Sequence, residues 1–434
     1  MFRSLGIFNY RLWFTGALVS NIGTWMQRTA QDWIVLTVLT DNDAVAVGVT
    51  MALQLGPQLL LVPWSGLIAD RFDRRKLLIV TQSVMGALGV GLGLIVVTGV
   101  AQLWMVYVFA FALGIASAID APARQAFVSD VVPSEYLPNA VSLNSASFNG
   151  ARLFGPAIAG LLVAAVGAGW VFLLNGLTFA AMLIALVKLR KDELHSSPRA
   201  PRGPGQLRAG LSYVKGRPDI VVILAIVFII GTFGMNFPIF AATMASGVFH
   251  HGAGEFGLLS SMIAIGSLTG ALLSARRAKP RLRIVIGASG AFGVATIVAA
   301  IMPNYITFGI ALIFVGFTAI TMMTAANGTV QMTTAPVMRG RVMALYMAIF
   351  MGGTPIGAPI IGAVANTFGP RWAIGVGGLS GIVAMLVGVG WIVVTHRVRV
   401  TFRRGEGFAI THGRTTPAQA ERELAADEAL AKAV

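Results

Sequence analysis

Three ionisable side chains stand inside stretches that are otherwise apolar: Arg28 and Asp32 in the first, Arg152 in the fifth. A charge in hydrocarbon costs at least about 2.5–3.5 kcal/mol, so such groups face a cavity or a partner. Asp32 follows Arg28 by four residues, one helical turn, which lets the two meet. The chemistry on offer is proton exchange. Burial favours a neutral acid and a nearby guanidinium favours the carboxylate, so an arginine that moves can drive proton release. At 1.5 Å per residue, Arg152 lies roughly 20 Å from the start of its segment and Asp32 nearly 30 Å from the same face. The long guanidinium narrows that gap. The plain alternative is a static Arg28–Asp32 pair that helps to hold the first segment.

Asp32 is singled out by elimination. Of the 17 acidic residues, Asp41, Asp43 and Glu255 fall at turns on one face. Asp70, Asp73, Asp130, Glu135, Asp192, Glu193 and Asp219 fall at ends or loops on the other, and five more lie from Glu406 onward. Asp120, about 18 residues into the fourth segment, is expected at the surface by helical rise. Around Asp32 a polar stripe recurs at helical spacing: Asn21, Thr24, Gln27, Arg28 and Gln31. With Phe148 and Asn149 beside Arg152, and with Met235, Asn236, Phe237 and Thr321 from the second half, it is expected to wall a cavity. Sparse polarity among Phe and Met suits bulky, apolar or amphipathic small molecules better than sugars.

The elements that must position these residues are transmembrane helices. The chain has 434 residues, 56% hydrophobic and only 11% charged, with a mean hydropathy of +0.78; soluble domains carry roughly a quarter charged residues. Twelve helices are predicted near 12–38, 45–69, 76–98, 102–122, 139–166, 169–188, 219–245, 255–275, 283–302, 305–327, 340–366 and 371–395, most longer than the roughly 20 residues that a bilayer core needs. The expected fold is an all-α membrane protein of two pseudo-symmetric six-helix bundles, residues 1–188 and 219–396. A basic linker (189–218) joins them and a tail (397–434) follows.

The net charge of +15 sits in the loops of one face, and Arg371 alone breaks the pattern. That face is expected to be cytoplasmic, with both termini, in a bacterial plasma membrane and with no cleaved leader. No aromatic residues interleave with the basic ones, so no nucleic-acid partner is expected. No cysteine occurs, His250–His251 has no partners at ligand spacing, and neither metal nor cofactor is expected. No nucleophile–base constellation marks an enzyme. The halves repeat: GPAIAG, Trp170 and Gly176 match GAPIIG, Trp372 and Gly378 at a constant offset of 202 (160 to 362, 170 to 372, 176 to 378). Such repeats typify transporters with a site between their halves.

The turn between the second and third helices, GLIADRFDRRK at 66–76, resembles the loop signature G-x-x-x-D-R-x-G-R-[RK]-[RK] of major facilitator superfamily transporters. Asp73 replaces its second glycine. GARLFGPAIAG at 150–160 resembles the antiporter signature of that superfamily, with Ala151 and Ala159 for two glycines. Gly155, Pro156, Gly357 and Pro359 are the expected close-packing and bending positions. The stretch 21–40 is similar to the subgroup of bacterial efflux carriers that includes enterobactin exporters and multidrug pumps. The resemblance implies a monomer among membrane lipids that exports a small molecule by alternating access, with the proton gradient as energy source. It also implies a cytoplasmic gate drawn from Gly66, Asp70, Arg71, Arg74, Arg75, Asp120, Arg124, Arg339 and Arg341. A lipid or lysolipid transporter is the nearest rival, and a non-transporting scaffold or sensor is a rival of another class.

Overall fold

Apolar stretches this long must satisfy their own backbone groups, and helices are how they do so. The computed structural model describes residues 3–195, 206–275, 281–395, 399–403 and 407–411. The basic turn at 276–280 and the helix expected after Thr416 lie outside the described residues. In the first half run α1 (Phe8–Thr37), α2 (Ala44–Arg71), α3 (Arg74–Val97), α4 (Leu103–Phe127), α5 (Leu137–Val166) and α6 (Ala168–Lys188). A linker helix α7 (Gln206–Lys215) follows. The second half begins with a broken crossing, α8 (Pro218–Ile229) and α9 (Phe237–Thr243), with wide-wound turns at Ile230–Gly234 and Met244–Val248. It continues with α10 (Ala253–Ala275), α11 (Leu282–Ile301), α12 (Tyr305–Thr333), α13 (Arg339–Phe368) and α14 (Pro370–Thr395). Eleven crossings among the described residues are apolar and long enough to span a membrane. α1 has the length, 30 residues, but its polar stripe keeps it out of that set.

Several boundaries differ from the sequence reading: α1 begins at Phe8 rather than near 12, and α12 runs to Thr333 rather than near 327. α4 passes Pro122 and continues to Phe127. In the tail, Arg399–Arg403 pairs antiparallel with Gly407–Thr411, where no strand is predicted.

Helix ends follow from local chemistry. Asp43 caps α2 by accepting from the amides of Val45 and Ala46. Asp73 caps α3 by accepting from the Lys76 amide at 2.9 Å. Gly167 and Gly369, again 202 apart, both adopt positive φ (87° and 98°) at the tight turns α5–α6 and α13–α14.

Packing repeats with the sequence. α1 lies on α5 and α6, and α3 on α4 and α6; α11 lies on α12 and α14, and α10 on α12. Two seams join the halves, α2 with α13 and α5 with α10. Both are built on small residues. A Cβ on Gly257 would press on Pro156 and Gly160 backbone atoms, and one on Gly48 would stand 2.8 Å from the Pro359 Cα. The repeated Gly160 and Gly362 meet the starts of α10 and α2 in the same way. The Ser261 hydroxyl donates to the Leu153 carbonyl across the α5–α10 seam at 3.0 Å. α7 is tied to the second half through its buried Tyr213, whose hydroxyl accepts from the Ala335 amide.

Candidate functional site

Between the seams lies a cavity of about 340 Å³ lined by both halves. α1 contributes Trp25, Arg28, Thr29 and Asp32; α5 contributes Arg152 and Pro156. α2 adds Met51, Gln54 and Leu55. The second half brings Met235, Phe237 and Pro238 from the broken crossing, with Phe256, Met323, Phe350 and Thr354 from later helices. The three charges picked from the sequence therefore share one cavity, as do Met235, Phe237 and Pro156.

Arg28 and Asp32 are near enough to act on each other electrostatically but are not joined by a salt bridge. Among the described residues Asp32 makes no ion pair or hydrogen bond, and the Arg28 Nε is buried without a partner. The Arg28 guanidinium instead lies over the Trp25 ring, 5.3 Å from its centroid. Three charges share a chamber whose remaining wall is largely apolar, a setting in which a proton or a ligand changes the balance strongly.

Most of the expected cavity polarity points elsewhere. Successive helix positions turn by about 100°, so residues three, four and seven before Asp32 share its face while Gln27 and Gln31 rotate away. Gln27 accepts from the Asn175 amide of α6, and Gln31 is buried with neither end of its amide hydrogen-bonded. The Thr24 hydroxyl donates to the Ser20 carbonyl at 2.8 Å. Asn21 accepts from Arg124 at 3.4 Å. Phe148 stands edge-on to Trp25, outside the lining, and Asn149 is exposed with its amide on the Ser145 carbonyl. Asn236 donates to the Thr232 carbonyl, repairing the backbone where the crossing breaks. Thr321 is buried off the cavity.

The sequence reading also missed lining residues. Thr29 and Trp25 follow from the helical period once Asp32 is the reference. Gln54, an amide in mid-helix on an apolar stretch, carries its own signal.

Those expected gate residues of the first half that have partners find them within that half. Asp120 is not a surface group. It is buried and accepts from Thr81 (2.7 Å), Gln82 (2.7 Å) and Arg124 (2.9 Å). Helical rise places it near the end of α4, but α3 and α1 cover it there. Arg74 pairs with Asp130 at 2.8 Å, and Arg75 donates to the Leu186 and Val187 carbonyls at the end of α6. Arg71 and Arg339 are exposed, Gly66 is half-buried, and Arg341 donates to the Met338 sulfur; the Asp70 side chain lies outside the described residues. No ion pair links the halves on this face among the described residues. On the opposite face the halves are clamped: the Asn366 amide donates to Asp43 at 2.6 Å and its carbonyl accepts from the Ala44 amide at 2.8 Å. Trp33 stacks on Phe256 nearby, at 5.5 Å.

Gly155 sits against Trp25 and Ile22 of α1, and Gly357 against the Thr232 backbone. A side chain at either would separate helices that touch through backbone.

Known proteins share this plan. The staphyloferrin A transporter of Staphylococcus aureus is 26% identical over 389 residues, covering 87% of this chain and 94% of that protein. The enterobactin exporter EntS of Shigella flexneri is 25% identical over 362 residues, covering 81% and 84%. Among solved structures, a POT family transporter in complex with 5-aminolevulinic acid superposes with a TM-score of 0.70 at 12% identity, covering 89% of this chain and 96% of that one. A bacterial homologue of the human lysosomal transporter Spinster, inward-facing and occupied, gives 0.67 at 16%, covering 89% and 96%. The profile of the transmembrane secretion effector family matches residues 3–406. With two helical bundles meeting over a charged cavity, and that match along nearly its whole length, the chain belongs to the transmembrane secretion effectors of the major facilitator superfamily, which are membrane transporters and not enzymes.

Proposed function

We propose that the protein is a proton-coupled exporter of amphipathic small molecules of the siderophore kind, working by alternating access as a monomer in the bacterial plasma membrane. The observation that carries this reading is the shared chamber of Asp32, Arg28 and Arg152 between two bundles that are clamped on one face and, among the described residues, joined by no ion pair on the other. That other face bears the basic loops, which by the charge rule is the cytoplasmic one. Substrate then enters from the cytoplasm, and closure of the basic face with opening of the Asp43–Asn366 clamp releases it outside. Both named relatives support the substrate kind, and the enterobactin exporter supports the direction.

In the cycle Asp32 takes a proton when the chamber faces outward. It returns the proton to the cytoplasm when Arg28 swings from Trp25 towards it. The test is proton flux in proteoliposomes loaded with a siderophore. Wild type should move protons only when substrate is present, and Asp32→Asn should abolish that flux while substrate binding persists. Full substrate-driven proton flux in Asp32→Asn at normal protein levels would sink the proposal.

A further inference from the structure

Donors and acceptors in the chamber do not balance. Its charged groups are two guanidiniums and one carboxylate, so even with Asp32 ionised a positive charge remains. The hydroxyls on its wall are already spent on backbone: Thr29 on the Trp25 carbonyl, Ser260 on Phe256 and Thr354 on Gly231. Two buried donors have no acceptor, the Arg28 Nε and the Gln54 Nε2. Gln54 is only 7% exposed and lines the chamber. Arg152 has no hydrogen-bond or ion-pair partner among the described residues. Buried donors left unmade are costly, and a native site keeps them for something that arrives. Around these groups the wall is thioether and aromatic: Met51, Met235, Met323, Phe237, Phe256 and Phe350.

We infer that this chamber is a receptor for an organic anion, with Arg152 and Gln54 receiving its acceptor oxygens and the methionines and phenylalanines its apolar body. Arg28 is left to answer Asp32, so ligand and proton act on different guanidiniums. This rests on the transporter reading above but narrows the substrate from an amphipathic molecule of the siderophore kind to one with an anionic oxygen head, such as a carboxylate. A guanidinium and a neutral amide together suit an oxyanion, because the first supplies charge and the second direction. An amphipathic cation would meet one carboxylate against two guanidiniums.

The experiment measures equilibrium binding to the purified full chain in lipid nanodiscs, with no proton gradient. Three probes share one apolar body: 1-pyrenebutyrate, 1-pyrenebutanamide and a pyrenebutyl-trimethylammonium salt. Energy transfer from tryptophan reports binding, and the amide corrects for partition into lipid. The carboxylate should bind about tenfold more tightly than the amide, and the ammonium more weakly than either. Arg152→Gln should erase the carboxylate's advantage, Gln54→Leu should reduce it severalfold, and Arg152→Lys should keep most of it, which shows the site still folds. Equal binding of all three probes, tighter binding of the ammonium, or a carboxylate preference untouched by Arg152→Gln would overturn the inference. Because no gradient is used, the anion preference survives if proton coupling fails, and proton flux with a cationic substrate would sink the anion alone.

Discussion

Asp120 and Asp32 are both buried carboxylates, and their surroundings assign them opposite roles. Asp120 is filled on every side by Thr81, Gln82 and Arg124, a fixed network that knits α3, α4 and α1. Removing its cation strands a buried charge, which commonly costs about 3–5 kcal/mol. Arg124→Ala should therefore lower the melting temperature of the purified protein markedly, and Asp120→Asn, which keeps a carbonyl for Thr81 and Gln82, should lower it less. Equal melting of Arg124→Ala and wild type would show the network to be idle. Asp32, in contrast, makes no ion pair or hydrogen bond among the described residues and faces a chamber, the setting that the proposed proton exchange requires. The sequence singles out Asp32 because hydrocarbon penalises charge and so few charges survive there. It misjudges Asp120 because distance along a helix says nothing about what the neighbouring helices cover. It overreads the stripe on α1, where polar residues at roughly helical intervals spread over two faces and Gln27 turns to Asn175. Asp73, which departs from the loop signature, proves to be a helix cap, and that use needs only an Asp ahead of a helical run.

Among elements, the two seams decide how the halves move. Gly257, where α10 meets the Pro156 carbonyl and Gly160, admits no side chain. Backbone cannot swing aside as a side-chain tip does, so Gly257→Val should hold the seam apart, with transport lost while the protein still reaches the membrane. Substrate efflux together with surface labelling checks this, and normal efflux would contradict it. The Asp43–Asn366 clamp is a different device, two hydrogen bonds that hold the same face shut. At about 1 kcal/mol each, the two bonds lost in Asn366→Ala should shift the balance towards opening of that face by roughly thirtyfold. The chain has no cysteine, so nitroxides at Val38 and Phe368 read the separation directly, and an unchanged distance distribution would refute the clamp. The repeat of Gly160 and Gly362 was visible in the sequence, but not that these two glycines, rather than Gly155 and Gly357, carry the contacts between the halves. The break before Phe237 was half-visible: Asn236 and Pro238 announce a kink, but the wound turn at Ile230–Gly234 arises where Gly353 and Gly357 press on Thr232, a contact no local pattern contains.

At the scale of the whole molecule, the two bundles form one machine because each lends a helix to both seams. α5 meets α10 and α13 meets α2, the same contact made twice by a duplicated chain. The fold class was legible from apolar length, loop charge and the offset of 202, since the bilayer leaves few alternatives to helices. The cavity was only partly legible, because its wall is a meeting of crossings that no single helix pattern defines. Its separation from the seams has a further result. The surfaces that slide recognise bare backbone, and the surfaces that select recognise side chains, with few residues serving both. A lineage can therefore exchange Gln54, Met235 or Phe350 for other cargo without retuning the stroke. The mechanics are inherited while the taste is free to drift.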